Sequence, residues 1–599
     1  MQTTAQNSNK KEQQYKRSLK KITNFIKNNF FSIITILATI TFIIDPFSTW
    51  NYTYLDGDGY MRAIRIKNWI INPSFFEQPI MESNYPFGEI LHWTRPLDII
   101  WILCTLPFIN LLEFKDAIFV GGAILSPILG IIGALSLGYG LKRHFNIFIA
   151  FLGIILFLNS PHIQSIYFFN KADHHSLITT LGILSTSIIM CWLKKRHNYY
   201  LIRLSLVLSI MSLCIIDGII FSALVALFFI YLYVYKNISI SYSYQIVKYY
   251  TIFSILLLIL NPPYQGFFHI DNGRFSILHI TALLFSTVAL RILLHYHIHT
   301  KRLKIISLFA SFSSISLLTI LIFGKSALIT PLNSDLQAIF INRISQNQSI
   351  SNTSFYYVVI SYIIPLISLM INIYMLFKKN HQHYRLLILN LIIGLPIILL
   401  NTYYIRFESF APIYSYIPFL CLIDYQYKNS KYYKTNTSDF PLSIYILILG
   451  FITLQICTLI PLSFFTISKK INPYTPELLQ SIKDINGTIL TDTFLSPRYV
   501  YECDVNTVST PYHRNTEGII DAHNILYSTN DFDIMSLILK HQITQIVLFE
   551  NYDNQYYNMQ EENKHKLYYR LLKDERLPPF LEKIPTTDEK IHHYKITPL

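Results

Sequence analysis

Apolar residues along this chain gather into long unbroken runs, not into the alternating or every-third-residue patterns of soluble elements. Phe31 to Ile44, Ile118 to Leu141, Ile305 to Phe323 and Leu442 to Phe465 are examples, and several approach or exceed the roughly 20 apolar residues that cross a bilayer core. The pattern predicts spans over 29-46, 117-141, 145-160, 175-193, 201-216, 218-235, 248-261, 276-294, 304-323, 355-377, 385-403, 408-424 and 441-466, thirteen in all. Leu97 to Leu112 stands apart: it is interrupted by Asp98 and Pro107 and short for a crossing, so it reads as a helix lying in the membrane surface. Residues 47-116 then form one long outer loop, and 324-354 a second.

Past residue 466 the apolar runs shorten and charges rise. Gly487 to Leu490 and Gln545 to Phe549 read as strands, and Phe532 to His541 as an amphipathic helix. The chain therefore divides into a basic tail over 1-28, a membrane domain over 29-466 and a small α/β domain over 467-599.

Composition supports the membrane reading, with 52% hydrophobic and 14% charged residues, against about 25% charged in ordinary soluble chains. The net charge of +14 raises the question of a nucleic-acid partner. The basic residues, however, sit at Lys10 to Lys27, Lys142-Arg143, Lys194 to Arg196, Lys301-Arg302, Lys378-Lys379, Arg385 and Lys428 to Lys434, always between apolar runs. That is the signature of cytoplasmic loops. It puts the N-terminus in the cytoplasm and, with an odd number of spans, the C-terminal domain outside, and it excludes nucleic acid as the explanation of the charge. The first apolar run lacks a small-residue cleavage site and is followed by Asp45-Pro46, so it reads as the first span and not as a cleaved leader. Of six cysteines, Cys104, Cys191, Cys214, Cys421 and Cys457 lie in apolar segments and Cys503 in a polar one; the spacing fits neither a disulfide framework nor a thiolate metal site.

Four polar motifs fall at outer ends of spans. Asp56-Gly57-Asp58-Gly59-Tyr60 follows the first span. Its two carboxylates, at i and i+2, can face a cation or a substrate hydroxyl, and Arg62, Arg65 and Trp69 at helical spacing place them at a helix N-terminus. The alternative is a solvated turn and cap. Asp173-His174-His175 opens the fourth span; an acid and two imidazoles at a bilayer boundary are costly unless paired or used, and a cap followed by interfacial histidines is the plainer reading. Arg406, held at the membrane edge between spans eleven and twelve, suits a phosphate, or else a salt bridge with Glu408. The outer loop carrying Ile344 to Gln348 has the length of a lid. In the tail, Tyr512-His513-Arg514-Asn515 is a compact polar cluster that could contact substrate, with a surface turn as the plainer reading.

Taken in order, these features resemble a GT-C glycosyltransferase, most of all the catalytic subunit of oligosaccharyltransferase in its bacterial and archaeal single-chain forms. The resemblance covers residues 29 to 466. It implies a polytopic α-helical membrane protein of GT-C type with about thirteen transmembrane helices and a C-terminal α/β periplasmic domain, set in a bacterial inner membrane. It implies Asp58, with Asp56 beside it, as catalytic carboxylate, a Mn2+ or Mg2+ ion held by Asp58, Asp173 and His175 next to His174, and Arg406 on the donor phosphate. The donor would be a polyprenyl-linked sugar, and the acceptor a protein, lipid A or a polysaccharide.

Two departures qualify this. The family's loop glutamate aligns with Gln346, and an amide is a poor ligand for a hard cation. All five tryptophans, Trp50, Trp69, Trp93, Trp101 and Trp192, precede the region where the family's Trp-Trp-Asp motif reads the Ser/Thr of a glycosylation sequon. Transfer of a single sugar to lipid A or a surface polysaccharide therefore stands as one alternative, and a non-catalytic scaffold or lipid-linked sugar transporter as another.

Overall fold

The computed structural model describes residues 21, 24–47, 52–324, 333–344, 349–352, 355–378, 382–410, 414–429, 450, 485–549, 561–586 and 590–597. Eight of its helices are long and apolar enough to cross a membrane, so the chain is a multi-pass α-helical membrane protein. They are α1 (Asn24–Ile44), α4 (Phe114–His144), α7 (His174–Lys195), α9 (Asp217–Lys236), α10 (Ser241–Leu260), α11 (Ile277–His295), α12 (Lys301–Phe323) and α15 (Tyr384–Tyr403). Between them lie α2 (Gly57–Ile71), α3 (Arg95–Thr105), α5 (Ile147–Leu158), α6 (Pro161–Ile166), α8 (Asn198–Cys214), α13 (Ser334–Ile339), α14 (Phe355–Phe377) and α16 (Ile417–Asn429).

Three expected spans differ in extent, and the one expected over 248-261 already starts at Ser241. The segment expected over 145-160 closes as α5 at Leu158, and Pro161 then starts the separate short helix α6. The segment expected over 408-424 begins at Ile417, where Pro418 fills the first turn; proline is tolerated there and not further inside. The expected span over 441-466 lies outside the described residues apart from position 450.

The helix ends sort by charge. Helix α4 ends on Lys142, Arg143 and His144, α7 on Lys194 and Lys195, α9 on Lys236, and α16 on Lys428. At the other end α2 opens on Asp56 and Asp58, α7 on Asp173 and α9 on Asp217. Each acid thus meets the positive end of a helix dipole. In the helix pair α4 and α7 small residues replace bulky ones, and a side chain on Gly140 would strike Ser187 at 2.9 Å; close approach of this kind is how membrane helices gain packing without a hydrophobic driving force.

The stretch expected to lie in the membrane surface is α3, prolonged by a turn over Leu106–Phe108. One face, with Leu97, Asp98, Trp101 and Thr105, is buried. Trp101 donates its indole N–H to Ile118 O at 2.8 Å, and Gly121 and Gly122 of α4 leave room for Thr105 and Trp101. The other face exposes Ile99, Leu103 and Leu106, so the helix is amphipathic.

The C-terminal domain holds β1 (Thr488–Leu490), α17 (Ser496–Cys503), β2 (Asn506–Thr507), α18 (Thr516–Tyr527), α19 (Asp531–Lys540), β3 (Gln545–Phe549), α20 (Leu567–Lys573), β4 (Leu581–Ile584) and β5 (Ile591–Ile596). Its sheet has the order β2-β1-β3-β5-β4, parallel through the first three strands and antiparallel through the last three. Ile489 and Leu490 of β1, and Ile546 and Leu548 of β3, are buried, which is why those two strands are visible as apolar runs.

This domain packs on α2 and the segment that follows it. Helix α17 packs on α2, Lys67 and Lys115 both reach Asp504, at 2.5 and 3.3 Å, and the amide of Tyr85 donates to Thr507 O. Glu89 is buried at the junction, where Ser83 Oγ donates to it at 2.6 Å and Thr510 Oγ1 also donates. Burial pushes its carboxyl up to about 7 against those donors. A carboxyl that binds its proton more tightly folded than unfolded loses stabilising effect as pH rises from its unfolded value, 4.5, through about 7. We expect the apparent melting midpoint of the protein to fall across that window and Glu89→Gln to flatten the profile; a variant with the parental slope would count against this assignment.

Candidate active site

The acidic motif is built by its glycines and its cap. Asp56, in extended backbone, accepts a hydrogen bond from Gly59 N at 3.2 Å and so starts α2, leaving Asp58 in the first turn. A side chain on Gly59 would meet the Tyr54 ring at 2.9 Å, so the turn depends on glycine there. Tyr54 is buried and donates to Phe119 O at 2.8 Å, fixing the motif to α4.

The second motif is stitched to the first by Asn170. Its side chain donates to Thr53 O at 2.8 Å, its carbonyl accepts from Leu55 N at 3.4 Å, and its amide donates to Ala123 O at 2.9 Å. Asp173 then caps α7 by accepting from His175 N. The result is electrostatic proximity: burial first, then Asp58 and Asp173, push Asp56 up to about 7, and burial followed by Asp173 raises Asp58 above the ordinary carboxylate range. Three carboxylates at one place can be held at neutral pH only with protons or cations among them.

Asp173, His174 and His175 each offer a ligand atom, all within 4.8 Å of one another. His174 Nδ1 is 2.6 Å from Asp173 Oδ1 and His175 Nε2 is 3.8 Å from Asp173 Oδ2; the imidazole rings stack at 4.5 Å. His174 Nδ1 is buried against the Asp173 carboxylate, so a nitrogen and an oxygen ligand already face each other there. Asp58, expected as a ligand with Asp173 and His175, lies outside this compact group, and His174, expected only as a neighbour, lies inside it. Two imidazoles and a carboxylate form a borderline N and O donor set that fits a divalent transition metal.

Arg406 follows α15 in a short turn over Ile405–Phe410. Its Nε and Nη2 donate to Asp217 Oδ2 at 2.8 and 2.6 Å. Glu408, the partner considered for it, is itself paired with His162. Arg406, Glu408, His162, Lys171 and His175 line one cleft of about 120 Å³. The guanidinium thus opens onto the same space as the second motif.

The tail cluster expected as a surface turn is part of the site. Tyr512 is buried, and its hydroxyl donates to Asp58 Oδ1 at 2.7 Å. Its ring meets Trp93 edge-on at 4.8 Å, and Arg62 lies 4.2 Å above Trp93. His513 faces His92 at 5.0 Å; burial, then Arg514, brings His513 down to about 4, and burial, then His513, holds His92 well below its usual range. Both rings are therefore neutral at physiological pH. Arg514 is anchored by Asp271 at 2.5 Å. Tyr512, His92 and Trp93 carry no motif of their own; the one signal was a compact polar cluster in an otherwise ordinary tail. Gln346 lies outside the described residues.

The described bundle, with the C-terminal domain packed on α2, has the fold of solved oligosaccharyltransferase structures. The likeness is measured against archaeal oligosaccharyltransferase AglB from Archaeoglobus fulgidus. Its complex with an inhibitory peptide and a dolichol-phosphate matches at a TM-score of 0.67 and 11% identity, over 88% of this chain and 70% of that one. The enzyme tethered to an acceptor peptide containing the NVT sequon gives 0.67 and 12% over the same shares. The form with Zn and sulfate gives 0.63 and 12%, over 87% and 68%. No family model and no curated protein sequence matches the chain.

Proposed function

We propose that this protein is a glycosyltransferase that moves a sugar or oligosaccharide from a polyprenyl-phosphate or polyprenyl-pyrophosphate donor to an acceptor on the periplasmic face of a bacterial inner membrane. The observation that supports it most is the shared cleft: Arg406 and Lys171, two cations suited to a phosphate, line the same space as His175. In this reading Asp58 takes the proton from the acceptor group that attacks the anomeric carbon. Its raised pKa brings it nearer the operating pH, as a general base requires. Tyr512 orients it, and Arg406 holds the phosphate that leaves.

Asp173, His174 and His175 would hold a divalent cation, which supplies positive charge beside the departing phosphate. The imidazole pair favours Mn2+ or Zn2+ over the hard Mg2+. The dolichol-phosphate, and the Zn and sulfate, of the archaeal structures are in keeping with such a donor and site.

The acceptor is the point at which this chain parts from the archaeal enzyme. Residues 193 to 599 hold no tryptophan, so the acceptor is read as something other than a sequon peptide, and a lipid A or surface-polysaccharide acceptor is the second reading. Comparing lipopolysaccharide with glycoproteins from a deletion strain separates them.

The donor assignment is tested by binding. With the protein in nanodiscs and a radiolabelled polyprenyl-phosphate hexose, Arg406→Lys is expected to weaken binding at least about tenfold, because an ammonium cannot reproduce the planar fork. Asp217→Asn, which releases the guanidinium from its present partner, should tighten it. Parental affinity in both variants would remove Arg406 from the donor site.

A further inference from the structure

A cavity of about 430 Å³, with none of Asp56, Asp58 or Asp173 in its lining, lies between the second half of α2 and the loop over 72–82. Its size is that of a small-molecule site. The floor is buried: Glu77 is 6% and Asp98 1% exposed. The rim is open, with Asn72, Phe76 and Gln78 exposed, and Trp69 forms part of the wall.

The charges of this wall answer one another. Arg62 Nη1 meets Asp98 Oδ1 at 2.6 Å, Arg65 Nη2 lies 3.1 Å from Glu77 Oε1 and 3.2 Å from Asp98 Oδ2, and Arg274 also pairs with Glu77. Arg95 donates to Ser74 O and Phe76 O, at 2.7 and 3.1 Å, with its guanidinium 4.7 Å from the Trp69 ring centre. Little net charge is left to attract a phosphate or a metal ion. What remains is hydrogen-bonding capacity of both kinds. Arg65 Nη1 is buried without an acceptor. Among the described residues Glu82 receives one side-chain donor, the Asn68 amide, at 2.9 and 3.0 Å, although a carboxylate has about four acceptor sites. The amides of Asn72 and Gln78 stand at the rim. A ligand with many hydroxyls, each donor and acceptor, and with an apolar ring face for Trp69 or Phe76, matches this lining; a purely anionic, cationic or apolar one does not.

From these features we infer that the cavity is a carbohydrate-binding subsite for one or two neutral sugar units, separate from the reacting centre. It deepens the glycosyltransferase reading and rests on it for its role, though not for the binding itself. The route between cavity and centre is short and rigid: Arg65 and Arg62, neighbouring on α2, share Asp98, Arg62 stacks on Trp93, and Trp93 packs on Tyr512, which holds Asp58. The subsite would seat a sugar beyond the reacting one, borne by the donor or by the acceptor.

Binding can be read without turnover. The full-length Asp58→Asn protein in nanodiscs is presented with methyl glycosides of glucose, galactose, mannose and N-acetylglucosamine, and with maltose and chitobiose, and saturation-transfer NMR is recorded. At least one sugar is expected to show signal, and Asn68→Ala with Gln78→Ala to remove it, while Arg406→Lys leaves it in place. Absence of signal across the panel, or signal that survives Asn68→Ala with Gln78→Ala, overturns the subsite. If transfer itself fails in the parent protein but the sugar signal behaves as expected, the fault lies with the proposed reaction and not with the cavity. Polyprenyl-phosphate donors with one or two sugars then assign the source: at least fivefold tighter binding of the two-sugar donor, lost in Gln78→Ala, marks a donor glycan, and equal binding marks an acceptor glycan.

Discussion

Asp58→Asn is expected to lower sugar transfer by at least about 10³-fold, within the range a positioned general base contributes, while the protein stays inserted and at least as stable as the parent. The two halves of this result have separate causes. Asparagine keeps an oxygen where Tyr512 donates at 2.7 Å, so the contact between the C-terminal domain and α2 survives. It removes one of three carboxylates whose mutual repulsion, added to burial, raises Asp56 and Asp58, and that relief offsets the lost attraction to His174 and Arg62. What disappears is the ability to accept a proton. Transfer measured with a radiolabelled polyprenyl-phosphate sugar, beside the apparent melting midpoint, gives both readouts. Parental transfer in this variant would remove Asp58 from the reaction. A lowered midpoint would show instead that the carboxylate is structural.

How much of this was legible in the sequence depends on the range of the physics involved. Hydropathy reports the bilayer residue by residue, so most of the expected spans that fall on described residues coincide with helices, eight of them long and apolar enough to cross, and the later start at Ile417 traces to a proline that only a helix end accepts. Caps are local too: Asp56 and Asp173 each accept from a backbone amide two or three residues on, which is why both acids could be placed at helix starts. The break between Leu97 to Leu112 and the next run was legible as well, and a helix over Arg95–Thr105 with a turn over Leu106–Phe108 fills the stretch before it.

Long-range pairing was not. Tyr512 reaches Asp58 across 454 positions, and a tyrosine in a polar tail carries no mark of that. Strand β2 has two residues, below the length at which alternation can be read. The resemblance brought Asp58 forward as a partner of Asp173 and His175, whereas the compact group of possible ligand atoms is Asp173, His174 and His175, three consecutive residues at a helix start. The wall of Glu77, Arg65, Arg274 and Asp98 likewise joins segments from three parts of the chain.

That consecutive group is where the second large effect is expected. Treating the purified protein with a chelator should reduce transfer by at least about 10²-fold, and adding Mn2+ or Zn2+ should restore it more fully than Mg2+, because two imidazoles prefer borderline cations. Asp173→Asn should give a comparable loss that no added metal repairs: the amide keeps an oxygen for the cap on His175 N but withdraws the negative charge from the donor set. His174→Ala should be severe towards metal retention, since it deletes one of the three clustered ligand atoms. Elemental analysis of each preparation decides the matter independently of turnover. Protein that is metal-free by that measure and transfers sugar at the parental rate would leave Asp173 and its histidines as a charge-balancing cap beside Asp58, and the reaction to Asp58 and Arg406 without a cation.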